Sequence, residues 1–114
     1  MYFPNAKTKG IQKEFAELER IMKGLGFVRW SWDYEKVYYD YKYTTDGADY
    51  YLRLRADVVG DKYLEHPKAL CQVDIPVFVR HFFPHGLDDE AEVPESIQEE
   101  VQAKIQEVEK ALSE

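Results

Sequence analysis

Between Ile11 and Leu25 the apolar residues Ile11, Phe15, Leu18, Met22 and Leu25 recur at steps of four and three, with charged residues between them. That spacing lines one side of a helix, so a helix is expected over 11–25, closed by Gly24 and Gly26. From residue 27 the period changes to two. Strands are expected over 27–33, 36–44 and 49–58, and a fourth over 69–81, where Cys71, Val73, Ile75, Val77 and Val79 alternate with Gln72, Asp74, Pro76, Phe78 and Arg80. Pro76 has no backbone N–H, which makes this fourth strand an edge or a bulged strand. The stretch 59–67 reads as a connection and 88–94 as an acidic linker. A last helix over 94–112 starts near Pro94 and carries Ile97, Val101, Ile105, Val108 and Leu112 on one side. Residues 1–10 form an irregular lead-in, with Tyr2 and Phe3 positioned to fold back onto the core.

Turn chemistry then sets the register. Asp46-Gly47 suits a type I′ hairpin turn, which needs positive φ at both central residues. Centring the turn there places Tyr43, Tyr41, Tyr39 and Val37 opposite Tyr50, Leu52, Leu54 and Ala56. The other face pairs Lys42 with Tyr51, Asp40 with Arg53 and Tyr38 with Arg55. An earlier turn at Tyr34-Glu35 sets Trp32, Trp30 and Val28 against Val37, Tyr39 and Tyr41, and Arg29 against Asp40. Asp40 is therefore expected between Arg29 and Arg53. The row of Trp30, Trp32, Tyr39, Tyr41 and Tyr43 is expected under the helices.

The fold class that follows is α+β: a two-layer domain over 1–114, with a four-stranded antiparallel meander (27–81) covered on one face by an N-terminal helix (11–25) and a C-terminal helix (94–112). The second face of the sheet, carrying Arg29, Tyr38, Lys42, Tyr51, Arg53, Arg55, Phe78 and Arg80, is left open. Seven of the nine tyrosines and both tryptophans fall between Trp30 and Arg55, so aromatic and basic groups concentrate there.

Composition narrows the choice of partner. Lys plus Arg number 15 against 22 Asp plus Glu, and a net charge of −7 repels polyanions, so nucleic acid is not an expected partner. Seven of the acids fall between Asp88 and Glu100, a stretch without a base. The single cysteine, Cys71, sits on the inner row and is expected to be a buried, unreactive thiol. No apolar run approaches the roughly 20 residues that cross a bilayer, and no secretory pattern opens the chain, so a cytoplasmic protein without membrane contact is expected. His81 and His85 have an i, i+4 spacing that on a helix would direct both rings to one metal. The intervening Phe-Phe-Pro opposes a helix, and neither a metal nor another cofactor is expected.

Gly26-Phe27-Val28-Arg29, the Trp32-Asp33-Tyr34-Glu35 turn, the Tyr-rich hairpin ending in Tyr50-Tyr51-Leu52-Arg53, and His81-Phe82-Phe83-Pro84-His85-Gly86 resemble, in their order and spacing, the YugN-like family of small bacillar proteins. The likeness runs from the first helix to about Gly86. It implies a small cytoplasmic bacterial protein, and the family brings no catalytic residues to carry over.

The residues themselves support several readings of the open face. Arg29, Tyr38, Asp40, Tyr51, Arg53, Arg55, Phe78 and Arg80 suit a non-enzymatic interaction module that forms a homodimer or binds a protein, because Tyr, Phe and Arg are enriched in interface cores. Alternatively, Arg29, Arg53 and Arg55 hold a small anionic ligand through forked hydrogen bonds. The blander account is a sheet decorated with aromatics for strand propensity, its arginines neutralised by Asp40. An enzyme ranks last, because no nucleophile motif, phosphate loop or catalytic dyad is present.

Overall fold

The computed structural model describes residues 1–81 and 86–114. Its elements are β1 (Gln12–Glu14), α1 (Phe15–Gly24), β2 (Val28–Trp32), β3 (Lys36–Thr45), β4 (Ala48–Val59), β5 (Leu70–Val73), β6 (Val77–His81), β7 (Leu87–Asp88) and α2 (Gln98–Ser113), the last entered through a 3-10 turn at Glu95–Ile97. All described strand pairs are antiparallel. The fold is α+β, but the sheet has seven strands rather than the four expected, in the order β1-β5-β4-β3-β2, with β6 pairing β4 and β7.

The β3–β4 hairpin is the frame. Asp46 and Gly47 both have positive φ, 54° and 74°, as the turn requires. Val37, Tyr39, Leu52, Leu54 and Ala56 point one way and are buried, joining Phe15, Leu18 and Met22 of α1 and Val101, Ile105, Val108 and Leu112 of α2 in one cluster. All five residues expected on the apolar side of the last helix are buried.

The first helix is shorter than the apolar spacing suggests, because Gln12–Glu14 pair with β5 instead. Gly10 N–H donates to the Val73 carbonyl at 2.8 Å and Val73 N–H to the Ile11 carbonyl at 2.8 Å, which satisfies backbone groups that β5 would otherwise leave unpaired at an edge. The helix then takes its first acceptors from the chain before β5, with Phe15 N–H donating to Ala69 O and Ala16 N–H to Pro67 O. At its other end Gly26 N–H reaches Lys23 O and Phe27 N–H reaches Met22 O, a Schellman closure. Gly26 is required there: φ is +94°, and an added Cβ would stand 2.9 Å from the Tyr41 ring.

The expected fourth strand is two strands. Against β4, Val73 pairs with Ala56 while Val77 pairs with Arg53, so one extra residue is accommodated across Asp74, Ile75 and Pro76. Four backbone groups of this bulge have partners in β4, in the lead-in or within the bulge itself. Asp74 N–H donates to Arg55 O, Ile75 N–H to the Asp74 side chain, Thr8 Oγ1 to Asp74 O, and Phe3 N–H to Pro76 O. Pro76 has no N–H to place, which is why it is tolerated here. Tyr2 bridges to Val77 and β7 pairs with β6, so the lead-in and the acidic linker both contribute backbone to this edge.

Candidate functional site

The bulge at Pro76 reverses which side chains face the helices. Upstream, Cys71 and Val73 are buried in the core as expected. Downstream, Phe78 pairs with Leu52 and is fully buried, stacked on Tyr50 with centroids 5.3 Å apart, and Arg80, opposite Tyr50, lies 5.9 Å over that ring. Phe78 and Arg80 are therefore not open-face residues. Val77 and Val79 take that side instead, opposite Arg53 and Tyr51.

A second bulge corrects Arg29. Trp32 and Ser31 keep their expected partners Val37 and Tyr38, but Arg29 pairs with Tyr39 and Val28 with Asp40, the register shifting around Trp30. Arg29 thereby turns to the helix side. Its Nη2 lies 2.8 Å from Glu19 of α1, and its guanidinium sits between the Phe15 and Trp32 rings at 5.4 and 4.3 Å. Tyr39 donates its hydroxyl to the same Glu19 at 2.9 Å, and Trp32 Nε1 donates to Glu65 at 3.0 Å. Burial, reinforced by the Glu19 carboxylate, pushes the Tyr39 phenol well above its ordinary range. This cluster ties α1 to the sheet, and it removes Arg29 from the three-arginine anion site expected from the pattern.

What remains on the other face is compact. Asp40, only 4% exposed, accepts both Nε and Nη2 of Arg53 at 2.8 and 2.9 Å in a forked pair. The Arg53 guanidinium, held flat by that carboxylate, lies 4.4 Å over the Trp30 ring and 5.2 Å from the Tyr38 ring. The Arg55 guanidinium lies 5.7 Å from the centroid of the same Tyr38 ring and donates Nε to Asp57 at 3.0 Å. Lys42 is 3.6 Å from Asp49. Tyr51 is half-buried opposite Val79. Val28 and Trp30 are 65% and 54% exposed, although the alternating pattern places both in the core row. Toward β6, a concavity of about 340 Å³ is lined by Tyr38, Arg53, Arg55, Asp74, Val77 and Val79 and equally by Tyr2, Leu87 and Asp89.

The family model described as the YugN-like family matches residues 5–112. The chain belongs to the YugN-like family. The chain is 28% identical over 109 residues to "Uncharacterized protein YlbA" of Bacillus subtilis (strain 168), covering 93% of this chain and 90% of that protein. The crystal structure of the uncharacterized conserved protein YugN from Geobacillus kaustophilus HTA426 superposes with a TM-score of 0.84 at 32% identity, covering 99% of this chain and 95% of that one.

In this YugN-like chain, Tyr38, Asp40, Tyr51, Arg53 and Arg55 are brought together as expected, while Arg29, Phe78 and Arg80 are not. Val28, Trp30 and Val77 are open-face residues that alternation hides, and Val79 points to the same side but is buried. Pro76 carries the clue for the two valines, since a bulge there flips every later side chain. Nothing in the sequence around Trp30 marks the other bulge. His81 ends β6 opposite Leu87, and His85 lies outside the described residues. Among the described residues no group of three or more His, Cys, Asp or Glu side chains is placed to hold a metal ion, and no helix is long and apolar enough to cross a membrane.

Proposed function

We propose that this YugN-like protein is a non-enzymatic interaction module that binds a protein surface through the sheet face opposite the helices. The observation that carries this is the exposed Trp30 indole stacked on an arginine already locked by a buried carboxylate. Trp, Tyr and Arg held rigid in this way lose little side-chain freedom when covered, and these residue types dominate interface energetics. The small-anion alternative is less well supported: Arg53 and Arg55 already share carboxylates, and Arg29 faces the other way. Catalysis is not favoured either. Tyr39, Tyr43 and Cys71, all buried, are shifted upward by desolvation, which keeps them protonated rather than activating them. A cytoplasmic setting fits the reduced, buried Cys71.

A photo-cross-linking amino acid at position 30, with one at the exposed position Glu99 on α2 as control, tests the reading in cells. The expected result is a discrete higher-mass adduct from position 30 and none from position 99. Uncross-linked chain from both positions would remove the proposal.

A further inference from the structure

We infer that the partner of this face is a second copy of the chain, packed face to face about a twofold axis that runs parallel to the strands between β3 and β4. The inference rests on the interaction reading above and adds the identity and geometry of the partner.

Charge is the first argument. The protein carries −7, and seven acids without a base fall between Asp88 and Glu100, so most approaches of one copy to another are repelled. On the face in question the three cations are each matched to a carboxylate: Lys42 with Asp49, Arg53 with Asp40, and Arg55 with Asp57. Its β3–β4 centre brings no net charge to a copy of itself, and the two carboxylates that line the concavity, Asp74 and Asp89, accept from the Ile75 N–H and the Tyr2 hydroxyl.

Size is the second. The seven strands hold 41 residues. At about 3.3 Å per residue and about 4.8 Å per strand, the face measures on the order of 650 Å². One partner's share of the smallest specific, stable interfaces is about 600 Å².

Edge pairing through β2 is the competing way to join two copies. The shift of register around Trp30 breaks the regular ladder that such pairing needs, and bulges of this kind blunt edges against it. The same bulge turns the indole onto the face, over Arg53.

Shape supplies the fourth argument and fixes the axis. Trp30 stands on β2 at the height of Tyr39, and the 340 Å³ concavity stands at the height of Tyr38 and Arg55, on the far side of β3 and β4. A twofold along the strands between β3 and β4 carries β2 of one copy over the β5–β6 junction of the other. Each Trp30 then enters the other copy's concavity, between Tyr38 and Val77, and the contact is made twice, as a closed isologous dimer requires.

The test combines mass and position. Light scattering over a concentration series should give twice 13.5 kDa for the unaltered protein. Trp30→Ala, checked for retained circular dichroism, should weaken association at least ~10-fold, as loss of a large aromatic anchor that fills a pocket does. A photo-cross-linking residue at position 30 of the purified protein should map to residues 74–79 of the other copy. A dimer that survives Trp30→Ala unchanged, or a cross-link mapping elsewhere, overturns the arrangement. A monomer at every concentration overturns the second copy as partner. The cellular adduct from position 30 then separates the two ideas, because a heterologous protein in that adduct leaves the interaction reading standing, and no adduct removes both.

Discussion

Along β3 and β4 ten successive partners run from Lys36–Asp57 to Thr45–Ala48 without a break, whereas β2 and the β5–β6 pair each slip by one residue where they join that hairpin. The central pair is closed by its own two-residue turn, so local chemistry dictates its register. The flanking strands must also satisfy neighbours further away: Thr8, Phe3 and Tyr2 at one side, and Glu19 of α1 at the other. A one-residue slip exchanges the two faces. The chemistry of the flanks is therefore decided by tertiary contacts, and that of the hairpin by sequence neighbours.

The strongest way to break this contrast is Phe78→Ala. A fully buried ring removed from the core should cost about 4 kcal/mol in denaturant unfolding. If Phe78 instead stood on the open face beside Tyr51, Phe78→Ala would be as mild as Tyr51→Ala, and the bulge at Pro76 would be wrong.

Next in size is the partner of Asp40. Asp40→Asn leaves the Arg53 guanidinium without its forked acceptor in a setting only 11% exposed and should cost about 3 kcal/mol. A double-mutant cycle sharpens it. Coupling between positions 40 and 53 is expected near 2 kcal/mol, and between 40 and 29 within about 0.5 kcal/mol of zero. Strong coupling of 29 to 40 would restore the uninterrupted register and return Arg29 to the open face.

A smaller effect is expected at the hairpin turn, where Gly47→Ala places a side chain at φ +74° and should cost about 1 kcal/mol without altering which residues are buried. A change in tyrosine near-UV signal beyond that of the lost stability would mean that the turn does not set the register alone.

The least effect concerns Cys71, on the strand half that precedes the bulge. Burial pushes its thiol from 9.0 up to about 11. Because the folded value lies above the unfolded one, its contribution is fully present below about pH 9 and is lost as pH rises through about 11. Tyr39 and Tyr43, also displaced upward by burial, add to the loss from about pH 10, where their unfolded phenols begin to ionise. Thermal melts between pH 8 and 11 should fall, less steeply for Cys71→Ala. Rapid labelling of native Cys71 at pH 8 would place this strand half on the wrong side.

How much of this was legible follows from the same contrast. The turn at Asp46-Gly47, the apolar side of α2, and the pairing of Asp40 with Arg53 all rest on short-range spacing, and all appear in the structure. Pro76 announced a possible bulge, but alternation was carried through it unchanged, which misplaced Phe78 and Arg80. Gln12–Glu14 continue a helical spacing, yet the unpaired edge of β5 captured them. The Tyr34-Glu35 turn register sets Arg29 against Asp40, and the slip around Trp30, unmarked in the sequence, turns it to Glu19 of α1 instead.

The way the sheet's far edge is finished also orders events during synthesis. Tyr2 bridges to Val77, and Gln12–Glu14 pair with Leu70–Gln72, so the first strand made has no ladder until most of the chain exists. At about 5–20 residues per second, some 4–15 s separate the appearance of Tyr2 from that of Val77. The β3–β4 hairpin, whose partners are neighbours in sequence, completes within that interval and offers its edge as the template. The amino-terminal segment is thus made before the hairpin but can join the sheet only after it, a first thread held loose until the frame it closes has been woven.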